Sequence, residues 1–368
     1  MVKKMDTPLI IDEQDPKWAL LGKILGIISS RRVKQEMAKQ GITPVNLAGA
    51  MFKIVLIAMF FSVDITYVVS ELQKRTELRG FAKLGKIPEV EEIYRFLARF
   101  SEKQFVGLVL GVLSSICAKR GRNRVLIVDS TDVSLDLNWF KKKIKKADLE
   151  EKEFKWGYSS SKGYYIGYKL TLVIEYPSLK PVAFLLHQGS PGDAKIYEEI
   201  LEELKRRRIA RDGDTIIFDK GYYGYKNYVL GISRFKVISA IFPRKNFKME
   251  KLMGMLSYPL SIFNSSNPEK EKKFYNGLVK SLKAKLENWK KYRPIRGMIE
   301  DIFKLAKDAF SLKKLHRYTK RSVKKFVCLH VLLVGIVVSL GINTKEEYRR
   351  LPNGSWWRGL LYSLVIYL

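Results

Sequence analysis

Apolar residues recur at helical spacing from about Lys17 to Lys119, with few of the alternating runs typical of strands. This pattern predicts consecutive helices, interrupted at Gly41–Pro44 and Gly85–Pro88. Ser101, with Gln104 three residues later, predicts a helix start closed by a capping box.

The pattern changes at Arg124, where short apolar runs bounded by turn residues replace the helical period. The runs predict the strands of a mixed sheet: 124–128, 165–176, 181–188, 214–218 and 235–242. The second and third runs are joined by four residues beginning with Pro177, which indicates a hairpin. A helix is predicted from about Asp193 to Arg208, and a long helical region begins at about Gly277.

These elements predict an α/β (α+β) fold, in which helices flank a mixed sheet with antiparallel strands at its front. An all-helical N-terminal domain is expected over residues 1–120 and a second domain over 121–345. Residues 346–368 are expected to form a C-terminal tail, and residues 141–155 a lysine-rich insertion.

Two apolar stretches are long enough to raise the question of a membrane span. The first, Leu47–Phe61, contains Lys53, and the second, Phe326–Ile342, has about 17 residues where a span takes about 20. No secretory signal is visible at the start of the sequence. Both stretches are interpreted as buried helices, and no association with a membrane is expected.

The charge of the chain indicates a polyanionic partner. There are 68 Lys and Arg residues against 37 Asp and Glu, a formal net charge of +31 that is spread along the sequence. Nucleic acid is the usual partner, because each phosphate that is neutralised releases a counterion. A ribosome-associated protein and a polybasic membrane-surface protein are the alternatives. The helical front is the natural place to read DNA, although no helix-turn-helix can be located in it.

The scarcity of thiols and imidazoles limits the metals that the chain can bind. Its two cysteines, Cys117 and Cys328, fit no zinc spacing, and its three histidines are scattered. A bound metal is therefore expected to be a hard ion held by carboxylates, such as Mg²⁺ or Mn²⁺.

Three carboxylates are candidates for that role. Asp129 and Asp219 each follow an apolar run, and strand ends are where α/β sheets place functional groups. An ordinary turn or helix-capping aspartate is the alternative at each position. Glu300 lies on a predicted helix, where 100° per residue aligns it with Arg296 and Lys307 in one polar stripe. Apolar positions flank the stripe: Ile299, Ile302, Phe303, Ala306 and Phe310.

An exposed ladder of charges is the alternative interpretation of this helix. Three carboxylates from two strands and a helix are also what a two-metal phosphoryl-transfer site requires. Arg296 and Lys307 would then bind phosphate beside the metal ligands.

The chain resembles the DDE insertion-sequence transposases, whose catalytic domain is similar to ribonuclease H and retroviral integrase. The resemblance covers roughly residues 124–340 and rests on five segments in order: Val128–Thr131, Gly167–Leu170, Pro191–Ala194, Asp219–Tyr222 and Arg296-x3-Glu300-x6-Lys307. It implies a ribonuclease H-like catalytic domain in which Asp129, Asp219 and Glu300 hold two Mg²⁺ or Mn²⁺ ions.

The resemblance implies an endonuclease that cleaves the ends of an insertion sequence and joins the freed 3′-hydroxyl to target DNA. Its partners would be the terminal inverted repeats and target DNA, bound by a homodimer in a prokaryotic, nucleoid-associated setting in the cytoplasm. Phosphate contacts are expected from Arg296, Lys307, Lys220, Arg293 and Lys169. The family often separates a Tyr from the Arg by two residues, whereas Tyr292 is separated from Arg296 by three, so the chain departs from the family pattern at the residue expected to contact the DNA backbone near the cut.

Two alternatives stay open on the sequence. One is a transposase-derived DNA-binding protein that no longer cuts, and the other is a helical membrane protein with a basic soluble domain. Terminal repeat sequence, target preference and second-strand chemistry are not encoded in any pattern found.

Overall fold

The computed structural model describes residues 9, 11, 15–116, 124–135, 155–159, 163–312, 314–315, 320–344 and 346–347. Most of the predicted lysine-rich insertion, Cys117, His316 and residues 348–368 of the predicted tail lie outside them. The chain divides into two compact units, one formed by 1–117, 135–153 and 304–368 and the other by 118–134 and 154–303.

Helices make up most of the described part of the first unit. They are α1 (Pro16–Ile27), α2 (Ser30–Lys39), α3 (Ala48–Phe61), α4 (Ile65–Lys74), α5 (Thr76–Ala82), α6 (Val90–Ala98), α7 (Glu102–Ile116) and, from the other end of the chain, α14 (Lys320–Ser339). The predicted capping box is present at the start of α7, where Ser101 N–H donates to Gln104 Oε1 at 2.9 Å and Gln104 N–H to Ser101 Oγ at 3.2 Å.

The two most apolar helices of this unit lie in its core. α3 is apolar nearly all round, as a helix enclosed by others must be, and only Ala50 and Lys53 are partly exposed. Among the described residues, one helix, Arg321–Ser339, is long and apolar enough to cross a membrane, and 78% of its most apolar window is buried. α14 packs against α7, α1 and α3. This burial favours the prediction that both stretches are core helices.

A mixed sheet forms the centre of the second unit. Its strands are β1 (Val125–Leu135), β2 (Lys155–Ser159), β3 (Gly163–Tyr176), β4 (Pro181–Gln188), β5 (Thr215–Phe218) and β6 (Ile238–Ile241). The order is β2-β3-β1-β5-β6, and β4 also pairs with β3. β3 is antiparallel to β1, β2 and β4, whereas β1, β5 and β6 are parallel. A two-residue strand, β7 (Lys314–Leu315), follows in the other unit.

Helices α8 (Asp193–Arg206), α9 (Tyr225–Ser233), α10 (Met249–Met255), α11 (Leu260–Phe263), α12 (Pro268–Glu287) and α13 (Arg293–Lys304) accompany the sheet. One face of the central strands, with Leu126, Val128 and Phe218, joins a core completed by α8, α9 and α12. Ile127 and Ile217 on the other face are also fully buried. Burial on both faces explains the unbroken apolar runs of β1 and β5.

The predicted fold class is confirmed: a mixed sheet flanked by helices, with an all-helical region at the N-terminus. The predicted domain boundaries stay a prediction, because they concern independent folding and compactness alone does not test it. The described residues after 304 nevertheless belong to the helical unit, since α14 packs against its helices. The sequence prediction had assigned residues up to 345 to the sheet domain.

Candidate active site

Parallel pairing of β1 with β5 places two aspartates side by side. Val128 pairs with Phe218 at the last position of the ladder, so Asp129 and Asp219 come next on neighbouring strands. Parallel strands in register point equivalent residues to the same face, so these two carboxylates share one face of the sheet.

Asp129 does not end its strand, contrary to the sequence prediction. β1 continues to Leu135, and Asp129 pairs with Leu172 of β3 on one side. β5, on the other side, stops at Phe218, so the ladder between β1 and β5 ends at Val128. Asp129 is therefore held rigidly within a strand and still borders the opening where β5 ends.

One guanidinium group joins three carboxylates. Arg296 Nη2 lies 2.8 Å from Asp129 Oδ2 and 3.6 Å from Asp219 Oδ2, and Arg296 Nη1 donates to Glu300 Oε1. The Arg296 side chain is 17% exposed, and its pKa is raised by the three carboxylates against the opposing effect of burial. Three carboxylate groups therefore surround one guanidinium group in this part of the structure.

The amphipathic pattern of α13 brings Arg296 and Glu300 to this point. Ile299, Ile302 and Phe303 are buried, as the sequence predicted. Arg296 and Glu300 lie one turn apart, so both reach the same side of the helix. Glu300 is half exposed, at 50% for its side chain, which leaves one flank of the carboxylate cluster open to solvent.

Asp129 is the most perturbed of the carboxylates. Burial raises its pKa from 3.8 to about 6, the charges of Asp219 and Asp193 push in the same direction, and Arg296 opposes them. A carboxylate whose pKa is raised mainly by burial, beside other carboxylates, is typical of a functional site.

A hydrogen-bonded network lies next to Asp129. Ser130 Oγ is 2.8 Å from the Tyr222 hydroxyl and 2.9 Å from Thr171 Oγ1. Tyr222 is fully buried, and burial raises the pKa of its hydroxyl well above the usual value. The network ties β1, β3 and the 3₁₀ turn Lys220–Tyr222 together, so it fixes the strand that carries Asp129.

A second ion pair lies close to the carboxylates. Lys169 Nζ is 2.7 Å from Asp193 Oδ1 and 2.8 Å from the Pro191 carbonyl oxygen, to which it donates. A side chain at Gly221 would meet Asp193 Oδ2 at 2.6 Å, so it would displace the Asp193 carboxylate. Lys169 is buried and engaged here, which differs from the expectation of a lysine that faces phosphate. Asp193 and Tyr222 were not predicted as functional, although both lie in segments that carried the family resemblance.

The other predicted DNA-contacting residues are dispersed. Lys220 and Arg293 are exposed, and Tyr292 is half-buried and accepts a hydrogen bond from Lys285 Nζ at 3.4 Å. Lys307 lies in a π-helical turn, Leu305–Ala309, which directly follows α13. The spacing of 100° per residue therefore ends at Lys304, and the predicted alignment of Lys307 with Glu300 is not supported. The roles of all these residues stay predictions.

The donor set fits a hard divalent cation by its chemistry, since carboxylate oxygens are what Mg²⁺ and Mn²⁺ prefer. Among the described residues no three His, Cys, Asp or Glu side chains lie close enough to form a metal-binding cluster. Arg296 accounts for this spacing, because its guanidinium lies between the carboxylates. Asp129, Asp219 and Glu300 are therefore the residues that could hold a metal once Arg296 moves aside.

Comparison with known proteins gives the family. A search of curated proteins finds no match. Among solved structures, the chain is similar to a piggyBac transposase in a synaptic complex with hairpin DNA, with 11% identity, coverage of 95% of this chain and 79% of that chain, and a TM-score of 0.42. The family model described as Transposase DDE domain matches residues 120–335, more than half of the sequence and all three carboxylates. The chain therefore belongs to the Transposase DDE domain family.

Proposed function

We propose that this protein is a DNA transposase that cleaves the ends of an insertion sequence and joins them to target DNA. The observation that carries the proposal is the convergence of Asp129, Asp219 and Glu300 on one cationic centre. Family membership and the net charge of +31 support DNA as the substrate.

Two reactions follow one another in this proposal. In cleavage, the oxygen of water bonds to phosphorus, and the 3′-oxygen of the element end leaves and takes up a proton. In joining, the oxygen of that 3′-hydroxyl bonds to a target phosphorus and gives up its proton, and the target 3′-oxygen leaves and takes up a proton. Both are in-line displacements at a phosphodiester, so one site serves them in turn.

Asp129, Asp219 and Glu300 would hold two Mg²⁺ or Mn²⁺ ions. When bound, such ions activate the attacking oxygen and stabilise the leaving one. Asp129 has a pKa of about 6, so it is ionised at neutral pH and able to serve as a ligand. Glu300 is half exposed, so water and DNA can reach the cluster from that flank.

Arg296 has a separate role in the proposal. Without metal, its guanidinium offsets part of the negative charge of the carboxylates and reduces their mutual repulsion. Once other cations balance the carboxylates, its charge becomes available to orient a DNA phosphate. Lys220, exposed beside Asp219, would add a second phosphate contact.

The test uses a labelled duplex containing the inverted repeats that flank the gene. Cleavage at the repeat boundary is expected with Mg²⁺ or Mn²⁺ and not with EDTA. Glu300→Gln should cut at least about 100-fold more slowly, since changes even one shell away from a metal cost 10–100-fold. Glu269→Gln is the matched control, because Glu269 is 84% exposed on α12 and pairs with Lys272 at 2.9 Å on the same helix.

The outcomes separate the candidates. Equal cleavage by Glu300→Gln and the unchanged protein would refute the metal site. DNA binding without cleavage in either metal would favour the alternative, a transposase-derived DNA-binding protein. Synapsis of two ends calls for two copies of the chain, which light scattering of the DNA complex would count.

A further inference from the structure

Three large aromatic side chains stand exposed on the hairpin formed by β2 and the start of β3. Trp156 is 63% exposed, Tyr158 57% and Tyr164 79%. Tyr158 pairs with Tyr164 across the strands, and Trp156 pairs with Ile166. Directly paired residues and residues two apart share a face, so all three aromatics lie on one side of the hairpin, called here the aromatic face.

The opposite side of the hairpin anchors it. Tyr165 is buried beneath Gly157, where any side chain would lie 2.8 Å from the Tyr165 ring. The Tyr165 hydroxyl donates to the Gly189 carbonyl at 3.4 Å. Gly189 in turn lies where a side chain would meet the Trp156 carbonyl oxygen at 2.6 Å, and its φ of +66° suits glycine. The aromatic face is therefore presented by a fixed backbone.

Exposure of this much aromatic surface is unfavourable in water and indicates a partner. The Tyr158 and Tyr164 rings are 5.3 Å apart and tilted by 65°, so they offer flat surfaces at an angle. Lys155 is exposed on the same strand, but its side chain lies on the opposite side of the hairpin from Trp156, next to Gly189. Exposed aromatic rings on a chain with a net charge of +31 are typical of surfaces that bind unpaired nucleotides.

The aromatic face continues the strand that runs beside the carboxylates. Tyr164 lies eight residues before Leu172, the β3 residue that pairs with Asp129. At about 3.4 Å per residue this separation is at most roughly 27 Å, the length of about eight nucleotides of DNA. DNA bound at the carboxylates can therefore extend to the hairpin within the same unit.

We infer that the aromatic face binds unpaired bases of single-stranded or opened DNA by stacking. The inference rests on the proposed function for the identity of the polymer, and it adds the form of DNA that this surface selects. Stacking needs only a π-face, so the contact would tolerate any base sequence. Such a surface would hold strands that are separated near the point of cleavage.

The experiment measures binding of the full chain to a 20-nucleotide oligo-dT strand carrying one 2-aminopurine, in EDTA so that no cleavage occurs. A blunt 20-base-pair duplex of mixed sequence is the comparison. Replacing Trp156, Tyr158 and Tyr164 together by Ala should weaken binding of the single strand at least about tenfold. Duplex binding should change less than about twofold, and the fluorescence quenching that reports stacking should disappear.

Two further variants keep the test decisive. Trp156→Phe alone preserves a ring and should retain most of the quenching, even if the triple variant folds poorly. Phe263→Ala is the matched control, an exposed aromatic (54%) of the same unit away from the hairpin, and should change neither affinity.

Equal losses on single strand and duplex, or no loss on either, would overturn the inference. A triple variant that changes from dimer to monomer by light scattering, with unchanged quenching, would show a protein interface instead and also overturn it. Because the assay omits metal, its result is independent of whether Asp129, Asp219 and Glu300 support cleavage.

Discussion

The ionised carboxylates of the cluster destabilise the folded protein when no metal is bound, and replacing Asp129 should remove part of this effect. Asp129 is 14% exposed and lies close to Asp219. Burial first, and the charge of Asp219 second, make its ionised form less favourable in the folded protein than in the unfolded chain. Asparagine has nearly the same shape and no charge. Asp129→Asn should therefore make the metal-free protein more stable at neutral pH while it removes a proposed metal ligand.

The size of the effect follows from the pKa. A rise from 3.8 to about 6 corresponds to about 3 kcal/mol, at about 1.4 kcal/mol per unit. Because the folded pKa is the higher one, the folded state binds the proton more tightly, and stability is greatest below pH 3.8 and is lost as pH rises through about 6. The gain from Asp129→Asn should thus be about 3 kcal/mol at pH 7.5 and roughly half of that at pH 5.

The measurement is urea unfolding in EDTA at both pH values. Asp214→Asn is the control, since Asp214 is a buried aspartate (2% exposed) of the same unit whose two oxygens accept the N–H groups of Arg124 at 2.9 Å and Arg211 at 2.8 Å. An amide can accept only one of these bonds, so this variant should lose about 1–3 kcal/mol.

Two results would refute the reasoning. One is an Asp129→Asn variant that is less stable than the unchanged protein at pH 7.5 in EDTA. The other is a gain that is the same at pH 5 and pH 7.5, since a charge that titrates must give a pH-dependent effect. Added Mg²⁺ should stabilise the unchanged protein more than the variant, because binding to the folded state alone raises its stability.

Three further predictions concern packing and charge. Gly49→Ala should lower stability by about 1–3 kcal/mol in thermal unfolding, because its Cβ would lie 2.7 Å from the Ser30 backbone, whereas Gly26→Ala, with open space, should not. Gly221→Ala should displace the Asp193 carboxylate, 2.6 Å from the new Cβ, and slow DNA cleavage; unchanged rates would contradict this. Duplex affinity should fall by at least about 1000-fold between 50 and 200 mM salt in a filter-binding titration, and a flat response would count against phosphate contacts.

The sequence by itself predicted β1, β3, β4, β5, β6 and much of the helical unit, whereas β2 was not predicted. The runs before Asp129 and Asp219 are continuous because both faces of those strands are buried, and continuity is visible without a structure. The Ser101 capping box is equally local, since both of its partners lie within one helical turn. The predicted hairpin of β3 and β4 depends on a four-residue connection, which is also a local property.

The tertiary structure alone decided which charges meet. Arg296 contacts Asp129 across 167 positions of the chain, and no periodicity in the sequence encodes such a pairing. Lys169 was expected to face phosphate and is instead buried against Asp193, while the π-helical turn after Lys304 ends the regular spacing that had aligned Lys307.

The sequence also does not predict which side of the β2 strand is exposed to solvent. Alternation along β2 marks two faces, but it does not say which one is covered, because a half-buried strand and an exposed one follow the same period. Only the position of Tyr165 beneath Gly157 decides that Trp156 and Tyr158 point outward. The local sequence pattern predicts the helices and strands, because their hydrogen bonds and turns join residues that are near in the sequence. Burial and ion pairs depend instead on residues that are distant in the sequence and meet only in the folded protein.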